Sequence, residues 1–422
     1  MSEWKEYSLK DLAFYYNGKA FKPSDWKKEG VKIIRIEQIN KPEGLYDYYQ
    51  GEFPEINKIE NGDLIFSWSA TLKVVIWKHG NAVLNQHLFK VVPKSMIEKM
   101  FLFFILDYNM LKLGDTSHGS TMKHIKRGEL EKYFVKVPTP ATQRKIAHIL
   151  TTADAIIEKT QAVIAKYKAI KKGMLHDLFN RGIDTKTGKL RPKYQDAHEL
   201  YKESKLGWIP KAWEVLQIND CIDPIMSNVD KHIYDNEIKI LLCNYMDVYD
   251  NRYLGKNISF SDGSVNASEM QRFSLKPQDV IITKDSETPD DIAVPTVLIE
   301  NIENLICGYH LCILRSKDFQ KLNGEFLMLQ LQIQEINNQF ARKANGSTRY
   351  GLTIDAIETV FLKIPTDINE QLEIANRIKS MDNKILTEQI YLHKLQQIKA
   401  GLMADLLSGK KEVKVDEEVK TN

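Results

Sequence analysis

The stretch GSTMKHIKRGELEKYFVKVPT, Gly119 to Thr139, returns 227 residues later as GSTRYGLTIDAIETVFLKIPT, Gly346 to Thr366. Lys136 and Lys363, Pro138 and Pro365, and Thr139 and Thr366 match at that offset, as do the opening Gly-Ser-Thr triplets. One inserted residue moves the offset to 228. Gln143/Gln371, Ala147/Ala375, Asp154/Asp382, Ile157/Ile385, Ile170/Ile398, Gly173/Gly401, Asp177/Asp405 and Leu178/Leu406 then pair without a gap. Upstream the kinship is weaker. WKEYSL from Trp4 parallels WEVLQI from Trp213, VKIIRI from Val31 parallels IKILLC from Ile238, GDLIFS from Gly62 parallels QDVIIT from Gln278, and Gln86-His87-Leu88 parallels Tyr309-His310-Leu311. The offset drifts there, so loops of unequal length join shared strands. Solenoid repeats run at about 20–50 residues, so a period this long marks a duplicated domain.

Each copy closes on a long amphipathic run. From Gln143 to Phe179 the apolar positions Ile146, Leu150, Ile157, Val163, Tyr167, Ile170, Met174 and Leu178 step mostly by three and four, which is a heptad seam. The second run, Gln371 to Leu407, carries Ile374, Ile378, Ile385, Tyr391, Leu395, Ile398, Leu402 and Leu406. Thr142 and Asn369 are the candidate N-caps, and Gly182 and Gly409 the stops. At 1.5 Å per residue each helix would span about 55 Å. Neither stripe can stay in water, and the simplest partner for each is the other, paired antiparallel. Homodimerisation through the same stripe is the alternative.

The remaining sequence, with runs such as Val31–Ile36, Asp63–Ser67, Val74–Trp77 and Asp279–Thr283, reads as short strands. One helix is predicted over Met96–Leu113, with a counterpart over about Phe326–Phe340. The expected fold is α+β (mixed α/β): two similar sheet-bearing domains separated by an antiparallel two-helix coiled coil, with pseudo-twofold symmetry. The boundaries are 1–140 for the first domain, 141–181 for the central helix, 182–206 for a polar linker, 207–367 for the second domain, 368–409 for the C-terminal helix and 410–422 for a charged tail.

Of 422 residues, 43% are apolar and 27% charged, with a formal net charge of +3. Any nucleic-acid surface must therefore come from local clustering of Lys and Arg. Four cysteines, Cys221, Cys243, Cys307 and Cys312, form no C-x-x-C pair, as expected of reduced thiols. No apolar signal segment opens the chain, and the apolar run Met100–Leu106 is far short of membrane-spanning length. A soluble cytoplasmic protein with no membrane partner is expected.

Residues for chemistry are hard to find. No N-P-P-aromatic or D-P-P-aromatic tetrapeptide of an amino-methyltransferase occurs, nor a Gly-rich cofactor loop after a strand. GIDTKTGKL from Gly182 has a P-loop flavour, but Leu190 stands where Ser or Thr should hold Mg²⁺. His118 and His124 lack a partner at metal-ligand spacing. His87 and His310, in equivalent apolar runs, read as satisfied, partly buried imidazoles. No catalytic residue, metal site or cofactor of the chain's own is expected.

The opening tryptophans Trp4 and Trp213, the Gly62–Ser67 and Gln278–Thr283 runs, both Gly-Ser-Thr triplets, and Pro138 and Pro365 ahead of Gln143 and Gln371 together resemble the specificity-subunit family of type I restriction–modification systems. GWIPKAWEV from Gly207 resembles the start of that family's second domain. The resemblance covers essentially the whole chain. It implies a DNA-binding subunit without catalysis of its own, with two target-recognition domains that each read half of a bipartite double-stranded DNA target while the helices set the spacer. It also implies two methyltransferase subunits, which hold S-adenosylmethionine, and restriction subunits for cleavage.

Half-site reading needs donors and acceptors on loops that reach a groove, with phosphate clamps nearby. In the first domain the candidates are Ser67, Trp68, Ser69, Thr71 and Lys73 on one loop and Ser117, Ser120, Thr121 and Lys123 on another, with Lys19 and Lys22 for phosphates. In the second they are Thr283, Lys284 and Ser286, and Arg342, Asn345, Ser347, Thr348, Arg349 and Tyr350. Two other readings stay open. One is an enzyme with unrecognised residues, such as a divergent nuclease, which metal-dependent cleavage would favour. The other is an adaptor joining two protein-binding modules, which salt-sensitive DNA binding would argue against.

Overall fold

The computed structural model describes residues 4–115, 125 and 127–414, without the side chains of 111–115 and 127. Two compact units divide the chain, and they do not follow chain order. One holds residues 1–163 and 388–422, the other residues 164–387. Each unit is mixed sheet and helix and includes part of both long helices, Pro140–Arg181 and Ile368–Leu407.

The units share a plan. In the first, Lys5–Ser8 pairs antiparallel with Phe134–Val137; in the second, Trp213–Gln217 pairs with Phe361–Pro365. The main sheet of the first unit runs Ala13–Asn17, Leu88–Pro93, Leu64–Ser67, Lys73–Ile76. That of the second runs Ile222–Met226, Leu311–Ser316, Val280–Thr283, Pro295–Leu298, with Tyr253–Leu254 added at the edge. Leu64–Ser67 and Val280–Thr283 are buried at every position, as strands covered on both faces must be. Each enters through a left-handed turn residue, Gly62 at φ +93° and Gln278 at φ +74°. A second sheet in each unit is built on a parallel pair, Val31–Ile34 with Ala82–Leu84 and Ile238–Cys243 with Leu305–Cys307.

The helix predicted over Met96–Leu113 is Lys99–Asp115. Its counterpart is two helices, Gly324–Leu331 and Gln334–Lys343, because Gln332 and Ile333 break the run. The caps of the long helices also differ from expectation. Thr139, not Thr142, precedes the first turn, with its carbonyl accepting from Gln143 N at 2.9 Å. Pro140 then sits at the first helical position, where its missing N–H costs nothing. Asp367, not Asn369, begins the second helix, its side chain accepting from Asn369 N at 2.9 Å. Gly182 and Gly409 do end the helices, at φ +63° and +74°. A Cβ on Gly182 would lie 2.2 Å from Glu370 Oε1, so a side chain there would displace the Glu370–Arg191 pair as well as strain the backbone.

Within each unit the helix segments run antiparallel. In the first, Asp154 pairs with Lys399 at 2.5 Å, while Ile146 and Leu150 share a core with Met403, Leu406 and Leu407. In the second, Lys171 pairs with Asp382 at 2.5 Å, while Leu178 and Phe179 share a core with Ile374, Ala375 and Ile378. The seam is heptad-spaced but does not use every apolar residue assigned to it. Leu150, Ile378 and Ile385 are buried, and Ile157, Val163, Tyr167, Met174, Leu395 and Leu402 half-buried. Ile170 and Ile398, equivalent positions, are 40% and 47% exposed. Lys171 and Lys399 take the inward positions instead, held there by their aspartates.

The segment 182–206, expected to be a plain linker, is folded. Ile183–Asp184 pairs with Lys189–Leu190, and Tyr201–Ser204 with Gly207–Pro210. The P-loop-like run is thus a small hairpin. Arg191 anchors the segment to the root of the second long helix through a bidentate pair with Glu370, at 2.5 and 2.9 Å.

Candidate nucleic-acid interface

Two buried glutamines tie each long helix to the loop that leads into a shorter helix of its unit and to the end of the strand before it. Gln143 donates to the carbonyls of Met96 (3.1 Å) and Pro138 (2.9 Å) and accepts from Glu98 N (2.8 Å). Gln371 donates to Lys321 (2.8 Å) and Pro365 (3.0 Å) and accepts from Asn323 N (3.0 Å). The same side chain makes the same three bonds in both copies, which explains its recurrence in the sequence.

The far ends of the sheets differ. In the second unit, Asp285–Ser286 pairs with Tyr350–Gly351, and Asn345 exchanges two 2.9 Å bonds with Gly351. This small ladder holds the loop after the helix Gln334–Lys343 beside the end of Val280–Thr283. A cleft of about 500 Å³ opens there, lined by Tyr245, Tyr249, Ser286, Glu287, His310 and Arg349 among others. His310 Nδ1 lies 2.7 Å from Asp285 Oδ2. The Tyr245 and Tyr249 rings stack at 5.7 Å, and Tyr249 donates to Asp291 at 2.8 Å. Burial, then the charge of Asp291, raises the Tyr245 hydroxyl above its ordinary range. The bond to Asp291 does the same for Tyr249. Both hydroxyls stay protonated donors at neutral pH. The cleft therefore offers carboxylate acceptors beside a guanidinium, the two side-chain types that read base edges in the major groove.

Of the candidates in this unit, Ser286 and Arg349 line the cleft, and Tyr350 flanks it in the ladder. Arg342 is exposed in the last turn of the helix Gln334–Lys343, and Asn345, Ser347 and Thr348 are exposed on the loop that follows it. Thr283 is fully buried, accepting from Val294 N at 3.0 Å, and so cannot touch a ligand. Lys284 packs over the Tyr309 ring at 4.5 Å. The tyrosines at 245 and 249 escaped the sequence reading, although their i, i+4 spacing on a short helix after a strand was a usable signal. His310, read as merely satisfied, is hydrogen-bonded and also faces the cleft.

In the first unit the loop after Leu64–Ser67 turns inward. Ser67 and Ser69 are buried and Trp68 packs on Phe89 at 5.7 Å and His87 at 5.9 Å. Lys73 donates to the Ile39 carbonyl at 3.1 Å. Of the candidates on this loop only Thr71, beyond the left-handed Ala70 (φ +56°), is exposed. His87 itself is exposed, not partly buried, because it sits in the turn before Leu88. Ser117, Ser120, Thr121 and Lys123 lie outside the described residues. A different surface stands out: Lys19 lies over the Tyr49 ring at 5.2 Å, Lys32 over Tyr46 at 4.9 Å, and Arg35 over Trp26 at 4.3 Å. Lys22 is exposed beside them at the head of a short 3-10 turn. Interleaved cations and aromatic rings suit a sugar-phosphate backbone.

Among the described residues, no helix is long and apolar enough to cross a membrane, and the four cysteines are free. Two copies of one mixed α+β plan, alike at the helices and unlike at the sheet ends, define a duplicated recognition protein. The chain belongs to the type I restriction modification DNA specificity domain family, whose model matches residues 1–166 and again 211–399. Its role is DNA-sequence specificity in such a system. It is 23% identical to the specificity subunit of the MjaVIII type I restriction enzyme of Methanocaldococcus jannaschii, over 93% of this chain and 94% of that one. It is 24% identical to the EcoBI specificity subunit of Escherichia coli, over 90% and 79%. The fold is similar to that of the S subunit crystal structure from M. genitalium, with a TM-score of 0.56, 12% identity and 96% of each chain covered.

Proposed function

We propose that this chain reads a bipartite, asymmetric DNA target and does no chemistry itself. Residues 1–140 would read one half-site and 207–367 the other. Helices 141–181 and 368–409 would fix the spacer, with 182–206 joining the halves and 410–422 a charged tail. In the second domain Arg349 would suit a guanine edge, and Glu287 and Asp291 the amino group of cytosine; Arg342, Asn345, Ser347 and Thr348 would meet phosphates. In the first, Lys19, Lys22 and Thr71 would work with Ser117, Ser120, Thr121 and Lys123. Two methyltransferase subunits would supply S-adenosylmethionine and methylate adenine in the cytoplasm, and restriction subunits would join for cleavage. The observation that carries this reading is the contrast between shared helix roots and dissimilar sheet ends within one duplicated chain. The test is methyl transfer to plasmid DNA by the methyltransferase subunits with and without this chain. Transfer should require the chain, and the chain alone should neither methylate nor cut. Metal-dependent cleavage by the purified chain would contradict the reading.

A further inference from the structure

The heptad seam is interrupted at four places by charge, and the four are related by the duplication: Asp154 and Asp382, Lys171 and Lys399. Each pairs across the seam within its own unit, Asp154 with Lys399 and Lys171 with Asp382, both at 2.5 Å. The side chains are 28% and 20% exposed in the first pair and 19% and 18% in the second. Arg252 adds a second cation to Asp382 at 3.0 Å. The price is visible nearby, since Ile170 and Ile398 are turned toward solvent beside the two lysines.

Largely buried ion pairs add little net stability, but an unpaired charge in the same place is costly, so they act on register more than on strength. Apolar heptads alone leave register loose. A slip of one heptad keeps the seven-residue phase of the two stripes, so the repeat by itself does not name one alignment. With the charges present, that slip would set Asp154 against Leu392 or Leu406 and Asp382 against Leu178 or Ile164. Lys171 would meet Ala375 or Gln389, and Lys399 would meet Ala147 or Gln161. All four charges would lose their cross-seam partners at once.

We propose that Asp154–Lys399 and Lys171–Asp382 are register pins: positioning residues that select one alignment of the long helices and hence one spacing between the two half-sites read. The inference rests on the reading of the chain as a two-part DNA reader. One heptad is about 10 Å, or about three base pairs, so a lost register is legible in the target itself.

The experiment maps methylated adenines in cells expressing the full chain with its methyltransferase subunits. In the triple variant Asp154→Leu, Lys171→Met, Lys399→Met, Asp382 keeps Arg252, and Asp107, which Lys399 also faces, keeps Lys73. It should fold, melting no lower than the wild type, yet methylate sites about three base pairs longer or shorter in spacer at least tenfold more often. The exchange Asp154→Lys with Lys399→Asp restores a pair and should keep one spacer. A single unchanged spacer in the folded triple variant would overturn the proposal, as would a broadened spacing in the exchange. If the wild type itself shows no two-part target, the underlying reading has failed rather than the pins.

Discussion

The helix roots of the two copies share a buried glutamine and an aspartate–lysine pair, and the sheet ends share no such set. Gln143 and Gln371 make identical sets of three bonds, and the aspartate–lysine pairs recur at equivalent positions. At the other end, one unit presents lysines and an arginine laid on Tyr49, Tyr46 and Trp26, and the other a cleft with Arg349, Glu287 and stacked tyrosines. After duplication, the contacts at the helix roots that both copies share stayed, while the exposed residues at the sheet ends diverged. The difference separates scaffold from reader residue by residue.

The sharpest way to break the comparison lies at a root that is not shared. Glu370 is 1% exposed and binds Arg191, Trp213 Nε1 (3.0 Å) and Ile183 N (2.8 Å), whereas the equivalent position in the first copy is Thr142. Glu370→Ala should strand the Arg191 charge and destabilise the second unit by about 3–5 kcal/mol. Hydrogen exchange should show that loss in residues 183–217 and little change in the first sheet. Next come the shared glutamines: Gln143→Ala and Gln371→Ala should each cost about 2 kcal/mol, since buried carbonyls lose their donor. Near-equal shifts in two melts would support equivalence, and a difference above about 1.5 kcal/mol would argue against it.

Reader substitutions should be smaller and one-sided. Arg349→Ala should weaken discrimination at one base of one half-site by about 1–3 kcal/mol, read as relaxed methylation at that position with the other half intact. Lys22→Ala should act the least, lowering the salt dependence of DNA binding by about one ion without changing the target. A changed target would make Lys22 a base reader instead.

What the sequence made legible follows the same divide. The duplication, the long helices and the central strands were readable because burial enforces apolar periodicity and the roots repeat. The seam was misread at Ile170 and Ile398 because a hydrophobic pattern cannot show that Lys171 and Lys399 have aspartates waiting across from them. Ser67 and Thr283 looked like loop donors because strand ends and loop starts share a vocabulary; only the sheet shows both are covered. The Lys19–Tyr49 and Arg35–Trp26 contacts join residues from separate segments of the chain, so no local spacing announces them. Tyr245 and Tyr249 announced themselves weakly, and the short helix that carries them is easily passed over.

The central claim, that one chain holds two unlike readers, is tested most directly by mapping every methylated adenine in DNA from cells that carry this chain with its methyltransferase subunits. The prediction is a single target of two different short half-sites at one fixed spacing. A palindromic target, or one continuous run of specified bases, would contradict it.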